Sequence, residues 1–103
     1  MKVYDKAAWH IDGNENAVEV VDRFRAIYSF LDSKKMLSED GKEILELGID
    51  SSISLNSSMV NSEGKAFLDA KYDVITNQDP KRIKATLKDE YEDYKNMTDT
   101  NKK

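Results

Sequence analysis

Between Asn16 and Lys34 the apolar residues Ala17, Val20, Val21, Phe24, Ile27, Tyr28 and Leu31 recur at intervals of three and four. That spacing lines them along one broad face of an α-helix. A helix over residues 16–34 follows, with Asn14 or Asn16 able to cap its start. A face so wide has to be covered by other elements.

Helix signals recur downstream. In LSEDGKEILELG, Ser38 stands as an N-cap, acids fill the first turn where the helix dipole favours them, and Gly48 sits where a helix ends. The pattern predicts a helix over 39–47. Asn61 or Ser62 opens a third helix over 63–75, carrying Phe67, Leu68, Tyr72, Val74 and Ile75. Asp79 before Pro80 opens a fourth over 80–96. Its apolar residues, Ile83, Leu87, Tyr91 and Tyr94, form a narrow stripe that suits docking on one neighbour or on a second chain. Ahead of the first helix, Val3, Tyr4, Trp9 and Ile11 make a short apolar lead-in, and the serine-rich IDSSISLNSSMV reads as a loop with at most one short strand.

The expected fold class is therefore mainly α. It is a small single-domain helical bundle of about four helices, with a short N-terminal strand or hairpin, over residues 1–97 and a disordered tail at 98–103. Trp9, Phe24, Ile27, Leu31, Ile44, Leu45, Phe67 and Val74 are the expected core, with Trp9 closing one end of it.

A chain of 103 residues supplies one core and no more. With 35% charged and 39% hydrophobic residues, it has the make-up of a polar globular domain rather than a disordered one. There is no cysteine, so neither a disulfide nor a thiolate metal site can form. The N-terminal residues lack a secretory h-region and no apolar run approaches the roughly 20 residues of a membrane span. A cytoplasmic setting, without membrane partners, is expected.

Charge is distributed unevenly. From Met36 to Ile75 eight acids face three lysines, whereas from Pro80 onward seven basic residues face five acids. The acidic centre repels phosphate backbones and argues against a nucleic-acid partner. A winged-helix reading, suggested by MVNSEGKAFLD, fails upstream: the twelve residues between Gly48 and Asn61 hold no arginine or lysine where a recognition helix and wing belong.

Two stretches echo one another. MLSEDGKEIL from Met36 and MVNSEGKAFL from Met59 align without a gap, sharing Met, Gly, Lys and the final Leu. Two copies are too few for a solenoid. Shared capping chemistry accounts for the match more readily than duplication does.

The candidate functional box is YDKAAWHID, in which Tyr4, Asp5, Trp9, His10 and Asp12 bring together the only Trp and the only His. His10 is the first choice for acid–base work, with Asp5 or Asp12 to orient its ring. No nucleophile elbow, H-E-x-x-H run or diagnostic carboxylate spacing accompanies it. No catalytic residue, cofactor-binding residue, cofactor or metal ligand is therefore assigned. Packing by Trp9 beside a partly exposed, hydrogen-bonded His10 is the favoured reading. Arg23 and Arg25 are expected in exposed ion pairs. The serine run supplies turns rather than a nucleophile. Tyr91 and Tyr94, flanked by Asp89, Glu90, Glu92 and Asp93, suit apolar contacts better than stacking on bases.

YDKAAWHID, KMLSEDGKEILELGIDSS and MVNSEGKAFLDAKYDVI, together spanning residues 3–76, resemble a YflH-like family of small proteins from Bacillus and its relatives. A Tyr-Asp start, a Trp-His pair, a Leu-Ser helix opening and a late Glu-Gly-Lys-x-Phe run are more distantly similar to a bacterial family associated with toxin immunity. There the chain departs at Lys6 and Ala7, where an acid and a small residue are expected, and in its intervening lengths. Neither resemblance transfers a catalytic residue; the second implies an immunity-like role.

The leading expectation is a non-enzymatic interaction module whose acidic face, Glu39, Asp40, Glu43, Glu46 and Asp50, binds a basic protein partner. Two alternatives stand beside it. One is a small metal-dependent or His-based enzyme centred on Asp5, His10 and Asp12. The other is a structural homodimer formed through Ile83, Leu87, Tyr91 and Tyr94.

Overall fold

A computed structural model describes residues 1–100, with the backbone alone for Pro80 and residues 98–100. The described chain is mainly helical. Strand β1 (Val3–Lys6) leads into a short helix α1 (Ala7–Asp12), followed by α2 (Ala17–Ser33), α3 (Glu39–Leu47), strand β2 (Ser54–Asn56), α4 (Ser62–Asn77) and α5 (Ile83–Thr100). Single 3-10 turns precede α4 and α5, at Ser57–Met59 and Pro80–Arg82.

The caps explain most of these boundaries. Asn16 accepts from the Glu19 N–H, Ser38 from Gly41 and Asn61 from Gly64, each satisfying a donor that an α-helix leaves open in its first turn. Gly48, at φ 105, ends α3 in a backbone region that side chains disfavour. The end of α2 is unusual. Lys35 sits at φ 59, with its N–H on the Asp32 carbonyl and that of Met36 on Leu31 at 2.9 Å. This is a Schellman closure built with lysine where glycine is the usual residue.

Helix α2 is the hub, packing against α1, α3 and α5. Its Phe24, Ile27, Tyr28 and Leu31 are buried with Met36, Leu37, Leu55, Phe67, Leu68, Tyr72 and Leu87. The two strands pair antiparallel, Asp5 opposite Leu55 and Lys6 opposite Ser54. Their serine-rich partner segment thus contributes a real, if short, strand.

The echoed segments meet face to face. Leu37 and Val60 form an antiparallel bridge, the Ser38 N–H donates to Met59 at 3.0 Å, and the Asn61 N–H donates to Met36 at 2.9 Å. The capping side chains repeat the exchange: Ser38 Oγ donates to the Ser58 carbonyl and Asn61 Nδ2 to that of Lys35. The contact is a local pseudo-two-fold. Each glycine lies under the other segment's methionine carbonyl, so that a β-carbon on Gly41 would overlap Met59 O, and one on Gly64 would lie 2.5 Å from Met36 O. The shared glycines are required by this close approach, which has a reason of its own beyond capping.

Helix α5 docks by its stripe. Leu87 is buried, and Ile83, Tyr91 and Tyr94 are half-buried against the core. Tyr91 meets Phe30 and Phe67 edge-on, with centroids 5.7 and 5.8 Å apart, and Tyr94 meets Phe67 at 5.5 Å. Lys71 on α4 reaches Glu90 at 3.4 Å, and Asp93 as well, tying the same two helices together. The stripe is thus occupied within the chain, on α2 and α4.

Three expectations about the core need correction. Trp9 is 56% exposed and closes nothing, because α1 turns Ala7, His10 and Ile11 inward at three- and four-residue intervals and carries position 9 to the outer side. The Lys6 ammonium lies 5.8 Å from its ring instead. Val74 is 39% exposed, at the margin of the α4 face formed by Phe67, Leu68, Lys71, Tyr72 and Ile75. Ile44 and Leu45 only reach the edge of the core, half-buried. At the other end, α5 continues to Thr100 where a tail was expected from 98; residues 101–103 lie outside the described residues.

Candidate functional site

The N-terminal box divides between three surroundings. Strand alternation sends Asp5 inward and Tyr4 to the other side of β1. The Asp5 carboxylate, 4% exposed, accepts from the Tyr72 hydroxyl at 2.6 Å, from His10 Nε2 at 2.8 Å and from the Lys6 N–H at 2.9 Å. His10 Nδ1 meets Glu15 at 2.6 Å, and Glu15 reaches the buried Arg23 at 3.6 Å. A continuous polar chain, Tyr72–Asp5–His10–Glu15–Arg23, therefore links β1, α1, α2 and α4. Burial, and then the Asp5 charge, raises the Tyr72 hydroxyl well above its ordinary range, so it stays a donor.

This chain is built for holding elements together. Both ring nitrogens of His10 face carboxylates, so both are engaged inside this polar chain. Proton exchange with a substrate would require one of those contacts to open. Asp5 and Glu15 lie at opposite ends of the imidazole and do not converge on one point. Among the described residues no group of three or more His, Cys, Asp or Glu is placed to hold a metal ion. Asp12 is exposed and stands outside the chain, and so does Trp9.

Tyr4 belongs to a second cluster. Its hydroxyl donates to Asp69 at 2.6 Å, beside the ammonium groups of Lys65 at 2.9 Å and Lys2 at 3.1 Å. The Tyr4 hydrogen bond first, then the two lysines, hold the Asp69 carboxyl well below the usual carboxylate range. Burial, with Asp69 beside it, pushes the Tyr4 hydroxyl up.

Glu15, Arg23, Asp69 and Tyr72 were missed by sequence reasoning. One signal was present: Arg23 follows Val20 by three and precedes Ile27 by four, at the border of the apolar face of α2. It is 7% exposed, with Nη2 lacking a hydrogen-bond partner, rather than in an exposed pair. Arg25 does make the exposed pair, with Asp22 at 2.6 Å. No sequence interval ties Tyr72 or Asp69 to the box, since they come from α4, more than sixty positions away.

The acidic residues form a different surface. Glu39, Glu43 and Glu46 fall at intervals of four and three along the outer side of α3, with Asp40 beside them and Asp50 just past the helix, all exposed. One cation, Lys42, approaches Glu39 at 3.7 Å. The ridge is not purely polar, because Leu47 is 76% exposed at its end. There the surface dips into a hollow of about 220 Å³ lined by Ile44, Ile53 and Met59 and edged by Asp50, Ser52 and Asn56. The Ser52 hydroxyl, at 2.5 Å, and its backbone N–H, at 2.8 Å, keep the Asp50 carboxyl below its ordinary range and hence ionised. An apolar-walled hollow beside a fixed carboxylate has the chemistry that would suit the methylene stem and charged head of a lysine or arginine.

Comparison with protein-family models, curated proteins and solved structures finds no match to this chain. No helix among the described residues is long and apolar enough to cross a membrane.

Proposed function

We propose that this protein is a non-enzymatic interaction module that binds a basic protein partner through α3. The observation carrying the reading is the union of an exposed acidic row with the Asp50 hollow at its end. Dispersed carboxylates give orientation and speed of encounter; the hollow gives a place for one cationic side chain to be desolvated. With a toxin as partner the role would be immunity-like, in a cytoplasmic setting. The polar chain around His10 serves as the internal brace that fixes β1 and α1 against α2 and α4.

The test is a paired capture. Wild-type protein and a Glu43→Lys, Glu46→Lys, Asp50→Lys variant are used as baits at low ionic strength, and the bound proteins are identified. Basic proteins retained by the wild type, lost from the variant and released by salt support the reading. The same proteins on both baits contradict it.

A further inference from the structure

On another side of the molecule, α2 and α5 do not close against each other along their whole length. They leave a furrow in two hollows, of about 650 and 500 Å³, that share Phe30 and Lys84. Its lining advances together along both helices, from Asp22, Arg25, Ala26 and Ser29 opposite Lys84 and Leu87 to Ser33 and Lys34 opposite Lys88 and Tyr91. From position 22 to position 34 an α-helix rises roughly 18 Å, about three turns.

The floor is apolar and the walls are cationic. Ala26, Phe30 and Tyr91, all half-buried, form the floor above the buried Leu87. Asp22 is neutralised by Arg25 at 2.6 Å. Lys34 has its ammonium 4.9 Å from the Tyr91 ring, and neither it nor Lys84 nor Lys88 has an acidic partner among the described residues. Among the described residues of the lining, Glu92 is the one acid left to oppose them. This excess stands out in a chain whose net charge is -4. Lysines spaced 84 and 88 share a helix side, and here that side borders the furrow.

We infer that the furrow between α2 and α5 is a docking site for an acidic amphipathic helix from another protein. Such a helix would lay an apolar stripe over the half-buried Phe30 and Tyr91, and its flanking carboxylates would meet Lys34, Lys84 and Lys88. The chemistry is that of helix-in-groove recognition, with apolar anchors setting affinity and the charged rims setting register and sign. It is separate from the α3 ridge, which selects the opposite charge.

The probe is a synthetic helical peptide of about four turns, with leucines at intervals of three and four and glutamates elsewhere, labelled for fluorescence anisotropy. It is expected to bind wild-type protein and gain helicity. The Lys84→Glu, Lys88→Glu variant should bind at least about tenfold more weakly, and Lys84→Arg, Lys88→Arg should retain binding. Unchanged thermal unfolding of both variants shows that the fold is intact. Changing Glu43, Glu46 and Asp50 to lysine should leave peptide affinity unaltered, which separates this result from that of the α3 reading. The inference is overturned by no peptide binding, by equal binding to the Lys84→Glu, Lys88→Glu variant, or by equal binding of a peptide with the same composition but scattered leucines. Preferential binding to phosphatidylglycerol vesicles would also overturn it and assign the furrow to a lipid surface.

Discussion

Gly41 and Gly64 show how single positions govern this fold. Neither needs a positive φ; each needs the absence of a β-carbon, because a methionine carbonyl of the opposing segment lies against its Cα. Gly41→Ala and Gly64→Ala are predicted to cost about 2–4 kcal/mol each, since the obstruction is backbone and cannot swing away. Urea unfolding measures this, and a loss below about 0.5 kcal/mol in either would show that the paired segments yield easily. Lys35→Gly should act the other way. Removing a side chain from the left-handed closure of α2 is expected to stabilise by about 0.5–1 kcal/mol. His10 tests the brace. His10→Ala leaves the buried Asp5 short of a donor and Glu15 without its ring contact, for an expected loss of about 2 kcal/mol; an unchanged unfolding midpoint would remove the brace from the account. Position 10 was legible as a hydrogen-bonded, partly exposed histidine with Asp5 or Asp12 to orient it, and the structure places Asp5 there. Trp9 was misread because its size suggested burial, whereas the phase of one short helix decided the matter.

At the scale of elements, the helices were the legible part. Periodicity and caps are local, so Asn14 or Asn16, Ser38, and Asn61 or Ser62 marked three starts, which the structure sets at Asn16, Ser38 and Asn61, and α3 occupies 39–47 as expected. What escaped was made by distant partners. The short N-terminal strand was expected, but not that Ser54–Asn56 offers β1 its ladder, nor that the strand delivers Ala7 to the core and so starts α1. The echo was visible but its cause was not, since a contact between two copies cannot be read from either. The tie between β1 and α4 also belongs to this scale, and it responds to pH. Asp69 is held ionised by Tyr4, Lys65 and Lys2, so its folded pKa lies below its unfolded one. Its contribution is complete above the unfolded value, near 4, and is lost as pH falls below it. Wild-type stability should therefore drop more steeply than that of Asp69→Asn between pH 5 and 3, by roughly 0.5 kcal/mol after solvent screening. Parallel curves would show that the exposed cluster contributes nothing.

Across the whole molecule, charge is segregated by surface rather than by helix. The outer side of α3 is acidic, whereas the furrow wall on α5 is basic, and the hub α2 carries both by packing against each. The sequence disclosed the acidic centre as a run of residues. It could not show that Glu39, Glu43 and Glu46 form one row ending at a hollow, because the hollow is completed by Ile53 and Met59 from beyond the helix. The account rests on that row as the docking surface. Amide NMR of isotope-labelled protein, titrated with an arginine-containing basic peptide at low salt, tests it most directly. The account predicts that shift changes concentrate on residues 39–50 and on Ile53 and Met59, and fade as salt is added. Changes centred instead on the acidic residues of α5, Asp89 and Glu92, would contradict it.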